Sequence, residues 1–200
     1  MNWADLGSHV VTYLALAFEA LAIGAAAGVA FGVLASHVRG ARTPVLALAN
    51  VGRAIPSLAL LTFMVPVLGL GWRPALAALT VLAAVPVAIT TDIAFRSVAP
   101  AAMDAARGLG MTGAQIALRV EWPLAFPVIF AGVRTAATEV IASAVLAAFI
   151  GAGGLGELIT TGLQANQPDR LWTGVIAIAL IALAAEYLLA FAQRRIGVEV

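Results

Sequence analysis

Four acidic residues lie inside long apolar stretches of this sequence: Glu19, Asp92, Glu139 and Glu186. Ionisable side chains at membrane depth are costly, and they pair with an opposite charge or line a path for a solute or ion. A carboxylate on a path would attract a cationic solute, whereas a carboxylate paired with an arginine of another stretch would be structural. Both interpretations are open for Glu139. Asp92 lies near the end of its stretch, and we expect it to be solvated.

Other kinds of site chemistry find little support in the sequence. There is no cysteine, which excludes disulfides and thiolate metal sites, and His9 and His37 are too few and too far apart for a histidine metal cluster. All eleven basic residues are arginine, so the lysine of a nucleotide-binding phosphate loop is missing. A net charge of +1 gives no reason to propose nucleic acid binding. We therefore predict no catalytic residue, no metal ligand and no cofactor bound by this chain.

One glycine pattern imitates a dinucleotide-binding motif. Gly151, Gly153 and Gly156 have the spacing G-x-G-x-x-G. Such a site needs a preceding strand and an acidic residue about twenty positions further on. The preceding stretch is a long apolar run, and Asp169 comes too early. We interpret these glycines as a turn at the outer side of a membrane, packed against a partner or forming part of a gate, because small residues allow close packing of helices.

The elements that must position these residues are membrane-spanning helices. Apolar residues make up 62% of the 200 residues and charged residues only 10%, against about 25% charged in soluble domains. A helix needs about twenty apolar residues to cross the hydrocarbon. We predict five spans, over residues 12–36, 45–68, 75–95, 124–150 and 171–193. The predicted fold is all-α and integral to the membrane, one domain over 1–200 with its core at 10–192.

The arginine distribution predicts the orientation of these spans. Seven arginines fall on one side of the five-span arrangement and two on the other. The positive-inside rule then places the N-terminus outside and the C-terminus in the cytoplasm. We expect the first span to be retained rather than cleaved as a signal peptide, since no basic region precedes it. The seven arginines are Arg39, Arg42, Arg96, Arg107, Arg119, Arg194 and Arg195, and the two are Arg73 and Arg170.

A polar interruption between the third and fourth spans, residues 97–123, has the local chemistry of two short helices. Gly108 and Gly110 would end the first helix. Thr112 followed three residues later by Gln115 is a capping-box pattern that can begin a second helix. Apolar residues give the segment one apolar side, so we predict an ordered docking surface rather than a linker.

Seven residues of this segment have a distinctive spacing: Asp104, Ala105, Ala106, Gly110, Val120, Trp122 and Pro123. The spacing resembles the EAA loop of binding-protein-dependent ABC importer permeases, whose pattern is E-A-A, three residues, Gly, nine residues, I-x-L-P. In that family the loop is a coupling helix seated in a cleft of the ATP-hydrolysing subunit. The resemblance implies a MetI-like type I permease fold. It also implies contact with that subunit through Asp104, Ala105, Ala106, Gly110 and Pro123.

Two other stretches, residues 52–61 (GRAIPSLALL) and 146–156 (LAAFIGAGGLG), are similar to permeases for osmoprotectants such as glycine betaine, carnitine, choline and proline. Pro56 frees a backbone carbonyl, which is tolerated where backbone faces a cavity, and Ser57 offers a hydroxyl. Arg53 must face the bundle interior or reach the cytoplasmic edge. A proline kink in a packed helix is the alternative. The predicted translocation path comprises Arg53, Pro56, Ser57 and Glu139.

The resemblance implies an importer complex among the lipids of a bacterial cytoplasmic (inner) membrane. Such a complex has two permease subunits, identical or different, two ATP-binding subunits that hold ATP with Mg²⁺, and an external solute-binding protein. This chain would pass a quaternary ammonium or zwitterionic compatible solute and perform no bond chemistry. One alternative is a permease for another small solute, such as an amino acid or a betaine-like thione. A secondary transporter or channel, which needs no coupling loop, is a more distant alternative.

Overall fold

The computed structural model describes residues 3–196, and of Trp3 and Ala4 only the backbone. Within that range the chain is helical apart from short turns. Its α-helices are α1 (Trp3–His37), α2 (Arg42–Ala54), α3 (Ser57–Leu68), α4 (Trp72–Ser97), α5 (Pro100–Gly108), α6 (Gly113–Ile116), α7 (Trp122–Ala144), α8 (Leu155–Gln164) and α9 (Pro168–Arg195). A π-helical turn at Ala117–Glu121 joins α6 to α7, and a 3₁₀ segment at Val145–Ile150 follows α7.

Four of the described helical stretches are long and apolar enough to cross a membrane: Asp5–His37, Trp72–Ser97, Gly113–Ile150 and Pro168–Arg195. The pair α2–α3 forms a fifth span if its two bent halves are counted together. The prediction of an all-α membrane fold with about five spans is therefore confirmed. The fourth span begins earlier than predicted, because its helix continues without interruption from the polar segment before it.

The second predicted span, 45–68, is broken at Pro56, one of the residues expected to interrupt it. The second half is bent by 103° from the direction of the first. Pro56 disfavours helical geometry in the residue before it, and Ile55 is accordingly extended, with φ −81° and ψ 123°. The chain then begins a new helix at Ser57. The break lies between two short helices in the middle of the predicted span. In a straight helix the backbone carbonyls at this point would accept hydrogen bonds within the helix.

Helix α1 packs along α4 through a ridge of glycines. Gly24, Gly28 and Gly32 follow one another at four-residue intervals, the small-xxx-small spacing that allows close approach in membranes. A Cβ atom added at Gly28 would lie 2.7 Å from the Cβ of Val87, which is closer than real side chains approach. The close contact predicted for this spacing is therefore present, and the structure identifies α4 as its partner.

Helix α4 lies at the centre of the bundle, packed against both α1 and α7. Leu79 and Val87 of α4 are fully buried, as is Val140 of α7. The Tyr13 hydroxyl of α1 donates a hydrogen bond to the backbone carbonyl of Ile141 in α7. This bond joins α1 directly to α7 at the core. Helix α9 lies further out, where only Gly174 and Gln193 are buried.

The two ends of the bundle differ in chemistry. At the glycine-rich end, which comprises residues 69–72 and 150–157, the Gly71 amide donates to the Ile150 carbonyl at 2.7 Å. Gly154 there packs against Tyr13, and Gly156 packs against Val145. These two glycines are therefore buried within their own chain and are not available to a partner. The stretch before them is helical, whereas a dinucleotide-binding motif would need a strand there.

At the other end, the arginine-rich end, Asp92 is 1% exposed, so the prediction that it is solvated was wrong. Its two carboxylate oxygens accept hydrogen bonds from Arg42 Nε at 3.2 Å and Arg96 Nε at 3.0 Å. The start of α2 folds over this carboxylate and covers it. A buried charge is tolerated only when it is paired, and here two guanidinium groups satisfy it.

Candidate functional site

The polar segment after α4 folds into two short helices with a break between them, as predicted. Helix α5 ends at Gly108, and Gly110 adopts φ +75°, a conformation that glycine adopts at little cost. Thr112 and Gln115 form a reciprocal capping box, in which the Thr112 amide donates to Gln115 Oε1 at 2.8 Å and the Gln115 amide donates to Thr112 Oγ1. The capping box begins α6 and orients it relative to α5.

The surface of this segment is exposed at the residues singled out from the sequence. Asp104, Ala105 and Gly110 are all exposed, whereas Ala106 is buried. The Asp104 carboxylate accepts from Arg107 Nη1 at 2.8 Å within α5. An exposed pair of this kind contributes less than about 1 kcal/mol, so Asp104 can exchange it for a charge on another protein.

Leucine side chains add apolar area to the same surface. Leu109, at the break between α5 and α6, is 82% exposed. Leu118 in the π-helical turn is exposed as well. A large apolar side chain held in solvent beside exposed polar groups is typical of a surface that binds another protein.

Pro123 neither ends the second short helix nor interrupts the fourth span. The π-helical turn Ala117–Glu121 directly precedes it, and α7 continues through it. In a regular α-helix the proline ring would clash with the carbonyl four residues before it. The wider π-helical turn relieves that clash, and the helical backbone continues from α6 into α7.

Two contacts join the end of this segment to the rest of the bundle. His37 Nε2, at the end of α1, lies 3.1 Å from Glu121 Oε1. Trp122 packs edge-to-face against Phe95 of α4, with ring centroids 5.1 Å apart. Phe95 in turn packs edge-to-face against the His37 ring. The end of the segment is therefore in contact with α1 and α4 and is continuous with α7.

A second cluster lies between α7 and α9, at an open groove of about 640 Å³. Arg134 forms an ion pair with Glu186 and donates from Nη1 to Gln193 Oε1 at 2.8 Å. Thr138 also donates to Glu186, at 3.3 Å. An acid at membrane depth was expected either to line a path or to pair with an arginine of another span. Glu186 does the second, so its role is structural.

Glu139 lines the same groove and is exposed. It is not among the ion pairs formed by the described residues. Arg53, in the last turn of α2, is exposed and is not among the residues that line this groove. Pro56 and Ser57 lie at the α2–α3 break beside Arg53, although they do not line this groove.

Sequence reasoning singled out Asp104, Gly110, Arg53 and Glu139 but missed two connections. It did not pair Arg134 with Glu186, although Glu186 was recognised as an acid at membrane depth. It gave no role to Glu121, which binds His37. The only available signal was the opposite sign of each pair, because the two members are far apart in the sequence.

The comparisons with known proteins bear on this arrangement. A family model described as "binding-protein-dependent transport system inner membrane component" matches residues 24–198. The chain belongs to this family. It is therefore a multi-pass permease subunit of an ABC importer of the inner membrane, not an enzyme, and membership implies an ATPase partner and a substrate-binding protein.

Two similar permeases and one solved structure support this assignment. The choline transport system permease protein OpuBB of Bacillus subtilis is 34% identical over 195 residues, which are 98% of this chain and 90% of the relative. The carnitine transport permease protein OpuCB of Listeria monocytogenes is 38% identical over 184 residues, 92% of this chain and 84% of the relative. An inward-facing structure of the MetNI methionine ABC transporter has a TM-score of 0.85 at 24% identity, covers 99% of this chain and 100% of the matched chain, and shows the MetI-like fold.

Proposed function

We propose that this permease forms part of the translocation path for a quaternary ammonium or zwitterionic compatible solute. The observation that carries the proposal is the open groove of about 640 Å³ between α7 and α9, which the exposed carboxylate of Glu139 lines. The names of the similar permeases, for choline and for carnitine, support the same class of solute. Arg53, Pro56, Ser57 and Glu139 are the path residues.

The surface of α5 and α6 is the docking site for the ATP-binding subunit, which holds ATP with Mg²⁺. Support comes from the exposed Asp104, Ala105, Gly110 and Leu109 and from the continuous helix through Pro123 into α7. ATP binding can shift the permease between inward and outward states only if it binds the two states with different affinity. The contacts of Glu121 with α1 carry that shift into the spans.

The arginine-rich end faces the cytoplasm and the N-terminus lies outside. Support comes from the positions of the arginines: Arg42 and Arg96 meet at Asp92, and the end of α9 with Arg194 and Arg195 lies near the docking surface, where Ile196 and Trp122 line one cavity. The positive-inside rule favours this side as cytoplasmic. An ATPase can then reach α5 and α6, and the solute-binding protein can reach the glycine-rich end.

A second permease subunit, identical or different, closes the open side of the groove. The exposed apolar faces of α3 and α9 support this proposal, since Phe63, Val67 and Leu180 are all exposed in the single chain. Lipid covers the remainder of these faces.

Uptake by the reconstituted complex tests the function. The permease, its ATPase, its binding protein and any second permease are placed in lipid vesicles with labelled choline, carnitine or glycine betaine. We expect uptake that requires both ATP and the binding protein. Uptake driven by an ion gradient without the ATPase would show a secondary transporter. ATP-dependent uptake of only an amino acid or a thione would show a permease for another solute.

The docking assignment has its own test, with a matched control. Asp104→Arg should abolish the stimulation of ATP hydrolysis by the loaded binding protein, while the chain remains inserted. Asp169→Arg changes an acidic residue in the first turn of α9, away from α5 and α6, and should preserve the stimulation. Equal stimulation in Asp104→Arg and wild type would contradict the docking surface.

A further inference from the structure

A second groove, of about 520 Å³, opens between α1, α2 and α4. Every residue that lines it is apolar or glycine, and it shares no residue with the groove that Glu139 lines. Phe31 of α1, Leu48 of α2 and Val81 of α4 line it and are exposed. Lipid tails are as apolar as leucine, so an acyl chain can fill such a groove as well as the side chains of another helix can.

The groove extends over about half the thickness of a membrane. At one end, Arg42 at the start of α2 reaches Asp92 near the end of α4. At the other end, a Cβ atom added at Gly52 would lie 2.9 Å from Val85 Cγ2, so α2 meets the middle of α4 there. Half of the 26 residues of α4, at about 1.5 Å each, span roughly 20 Å, which is the depth of one leaflet with its headgroups.

The cluster at the arginine-rich end of this groove carries a net positive charge. One carboxylate, Asp92, is shared by the guanidinium groups of Arg42 and Arg96, and both arginine side chains are about half exposed. Each arginine donates to Asp92 through Nε. A guanidinium has five N–H donors, so the terminal amino groups of both arginines can donate to a further anion while Asp92 stays satisfied.

Arg39 adds to the positive charge at this end. It is exposed in the turn between α1 and α2, three residues before Arg42. The sum stays positive even with the negative charge of Glu121, which contacts His37. Arginines at the membrane surface attract anionic lipids. A positive cluster at the end of an apolar groove is complementary to a molecule that joins a phosphate to an acyl chain, whereas a helix of a second permease would fill only the apolar part.

We propose that this groove binds an anionic phospholipid of the leaflet at the arginine-rich end. Its phosphate binds the terminal amino groups of Arg42 and Arg96, and one acyl chain lies along α2, past Leu48 toward Val85. Guanidinium groups bind phosphate through two parallel hydrogen bonds. A zwitterionic lipid is bound less well, because the ammonium of its own headgroup offsets the charge of the phosphate. The inference goes beyond the proposed function and does not depend on which solute is imported.

Quenching of tryptophan fluorescence by brominated lipid measures what fills the groove. The full complex with Leu48→Trp in the permease is placed in phosphatidylcholine vesicles that contain a graded fraction of phosphatidylglycerol with brominated acyl chains. The series is repeated with brominated phosphatidylcholine, and the signal of the wild-type complex is subtracted. We expect phosphatidylglycerol to reach half-maximal quenching at an at least about fivefold lower fraction, since one arginine at a membrane surface contributes about a factor of five in affinity for anionic lipid.

Phe18→Trp is the matched control for the position of the introduced tryptophan. Phe18 lies on α1 outside the groove, and it is 73% exposed, as is Leu48. Both brominated lipids should quench Phe18→Trp at similar fractions. A preference for phosphatidylglycerol as large at Phe18→Trp as at Leu48→Trp would contradict a site in the groove.

Removal of one charge tests the part played by the arginines. Arg96→Gln, combined with Leu48→Trp, neutralises the cluster while Arg42 remains bound to Asp92. We expect the preference for phosphatidylglycerol to fall by about fivefold, and Arg96→Lys to retain part of it. Arg195→Gln removes an arginine from the last turn of α9, at the same end of the bundle, and should preserve the preference.

The remaining outcomes each overturn the inference. Equal quenching of Leu48→Trp by the two lipids would show that the groove does not select an anionic headgroup. No quenching by either lipid would show that protein, such as a second permease, fills the groove. An equal loss of preference in Arg195→Gln and Arg96→Gln would assign the preference to the general charge of this end. None of these measurements involves transport, so a failure of solute uptake would refute the proposed function alone.

Discussion

His37 Nε2 lies 3.1 Å from Glu121 Oε1, and this contact joins the end of α1 to the docking segment across 84 residues of sequence. Glu121 is the last residue of the π-helical turn, and Trp122 beside it packs on Phe95 of α4. Helices α1, α4 and α7, which pack around the core, thus meet the end of the segment at one small cluster. If α5 and α6 dock the ATP-binding subunit, we expect this cluster to couple their movement to α1 and α4.

Glu121→Ala removes this connection without altering the docking surface. We expect the loaded binding protein still to stimulate ATP hydrolysis, but the number of solute molecules imported per ATP should fall, because α1 no longer follows the segment. The loss of stability should be about 1 kcal/mol or less, as for other partly exposed ion pairs. Parallel measurement of uptake and hydrolysis in vesicles gives the ratio.

A matched control exists at the opposite end of the same chain. His9 Nδ1 and Glu157 Oε2 are 3.9 Å apart at the glycine-rich end, so Glu157→Ala also removes a histidine–glutamate contact. The ratio of import to hydrolysis should be unchanged in Glu157→Ala. An equal fall in both variants would indicate a general loss of packing rather than a role of Glu121 in transmission.

The left-handed conformation of Gly110 leads to a second prediction. A residue with a Cβ atom pays roughly 1–2 kcal/mol at such a position, although asparagine tolerates it better. Gly110→Ala should therefore lower binding-protein-stimulated ATP hydrolysis several-fold, and Gly110→Asn should lower it less. The cause is strain alone, since an added Cβ would meet no atom within 4 Å.

Gly108→Ala serves as the control for this comparison. Gly108 ends α5, and a Cβ atom there also meets nothing within 4 Å, but its backbone is helical. Stimulation should remain at the wild-type level or increase slightly, because alanine favours helix. Identical rates of stimulated ATP hydrolysis in Gly110→Ala and Gly108→Ala would show that the left-handed backbone conformation of Gly110 does not matter for this activity.

The features that could be predicted from the sequence depend on neighbouring residues. The capping box at Thr112 and Gln115 and the break at Gly110 need only residues within one turn of each other. The glycine ridge on α1 also follows from spacing, because four-residue intervals lie on one face of a helix. The span count follows from hydrophobicity over about twenty residues.

The features that could not be predicted depend on how the helices are rotated against one another. Membrane helices are apolar on the lipid side and on the interior side, so the pattern of apolar residues does not identify the buried face. Asp92 was therefore expected to be solvated, although α2 covers it. The partner of Arg134 could not be chosen among the acids of other spans. A bend at Pro56 could be expected from the proline, but the sequence does not specify its angle of 103°.

The buried carboxylate of Asp92 gives a third prediction. Asp92→Asn would leave Arg42 and Arg96 without their shared partner, and breaking a buried ion pair costs about 3–5 kcal/mol. We expect the low end of that range, because both arginine side chains are about half exposed and can be solvated. Unfolding of the purified chain in detergent, followed by circular dichroism, measures the loss.

Asp104→Asn is the appropriate comparison for that measurement. Asp104 also pairs with an arginine, Arg107, but both side chains are exposed. Its replacement should change the free energy of unfolding by less than about 1 kcal/mol. If Asp92→Asn were as stable as Asp104→Asn, the Asp92 cluster would not hold α2 against α4.

The last prediction concerns the break between α2 and α3. Pro56→Ala restores a backbone N–H and releases Ile55 from its extended conformation, so the two helices can merge into one. In a continuous helix the Cα atoms of Leu48 and Val67 would be about 28 Å apart, at about 1.5 Å per residue, whereas the 103° bend brings them much closer. Spin labels on these two exposed residues report the difference by pulsed electron resonance.

We expect the label distance to increase in Pro56→Ala and solute uptake to fall, because a straight helix repositions Arg53 and re-forms the hydrogen bonds to the backbone carbonyls at the break. Pro66→Ala is the control, since Pro66 lies inside α3 and is exposed, and the helix continues through it without a break. It should leave both the distance and the uptake unchanged. An unchanged label distance in Pro56→Ala would mean that packing of α3 on α4, rather than the proline, holds the bend. If uptake were lost without a change in distance, the proline ring itself would be needed at the path.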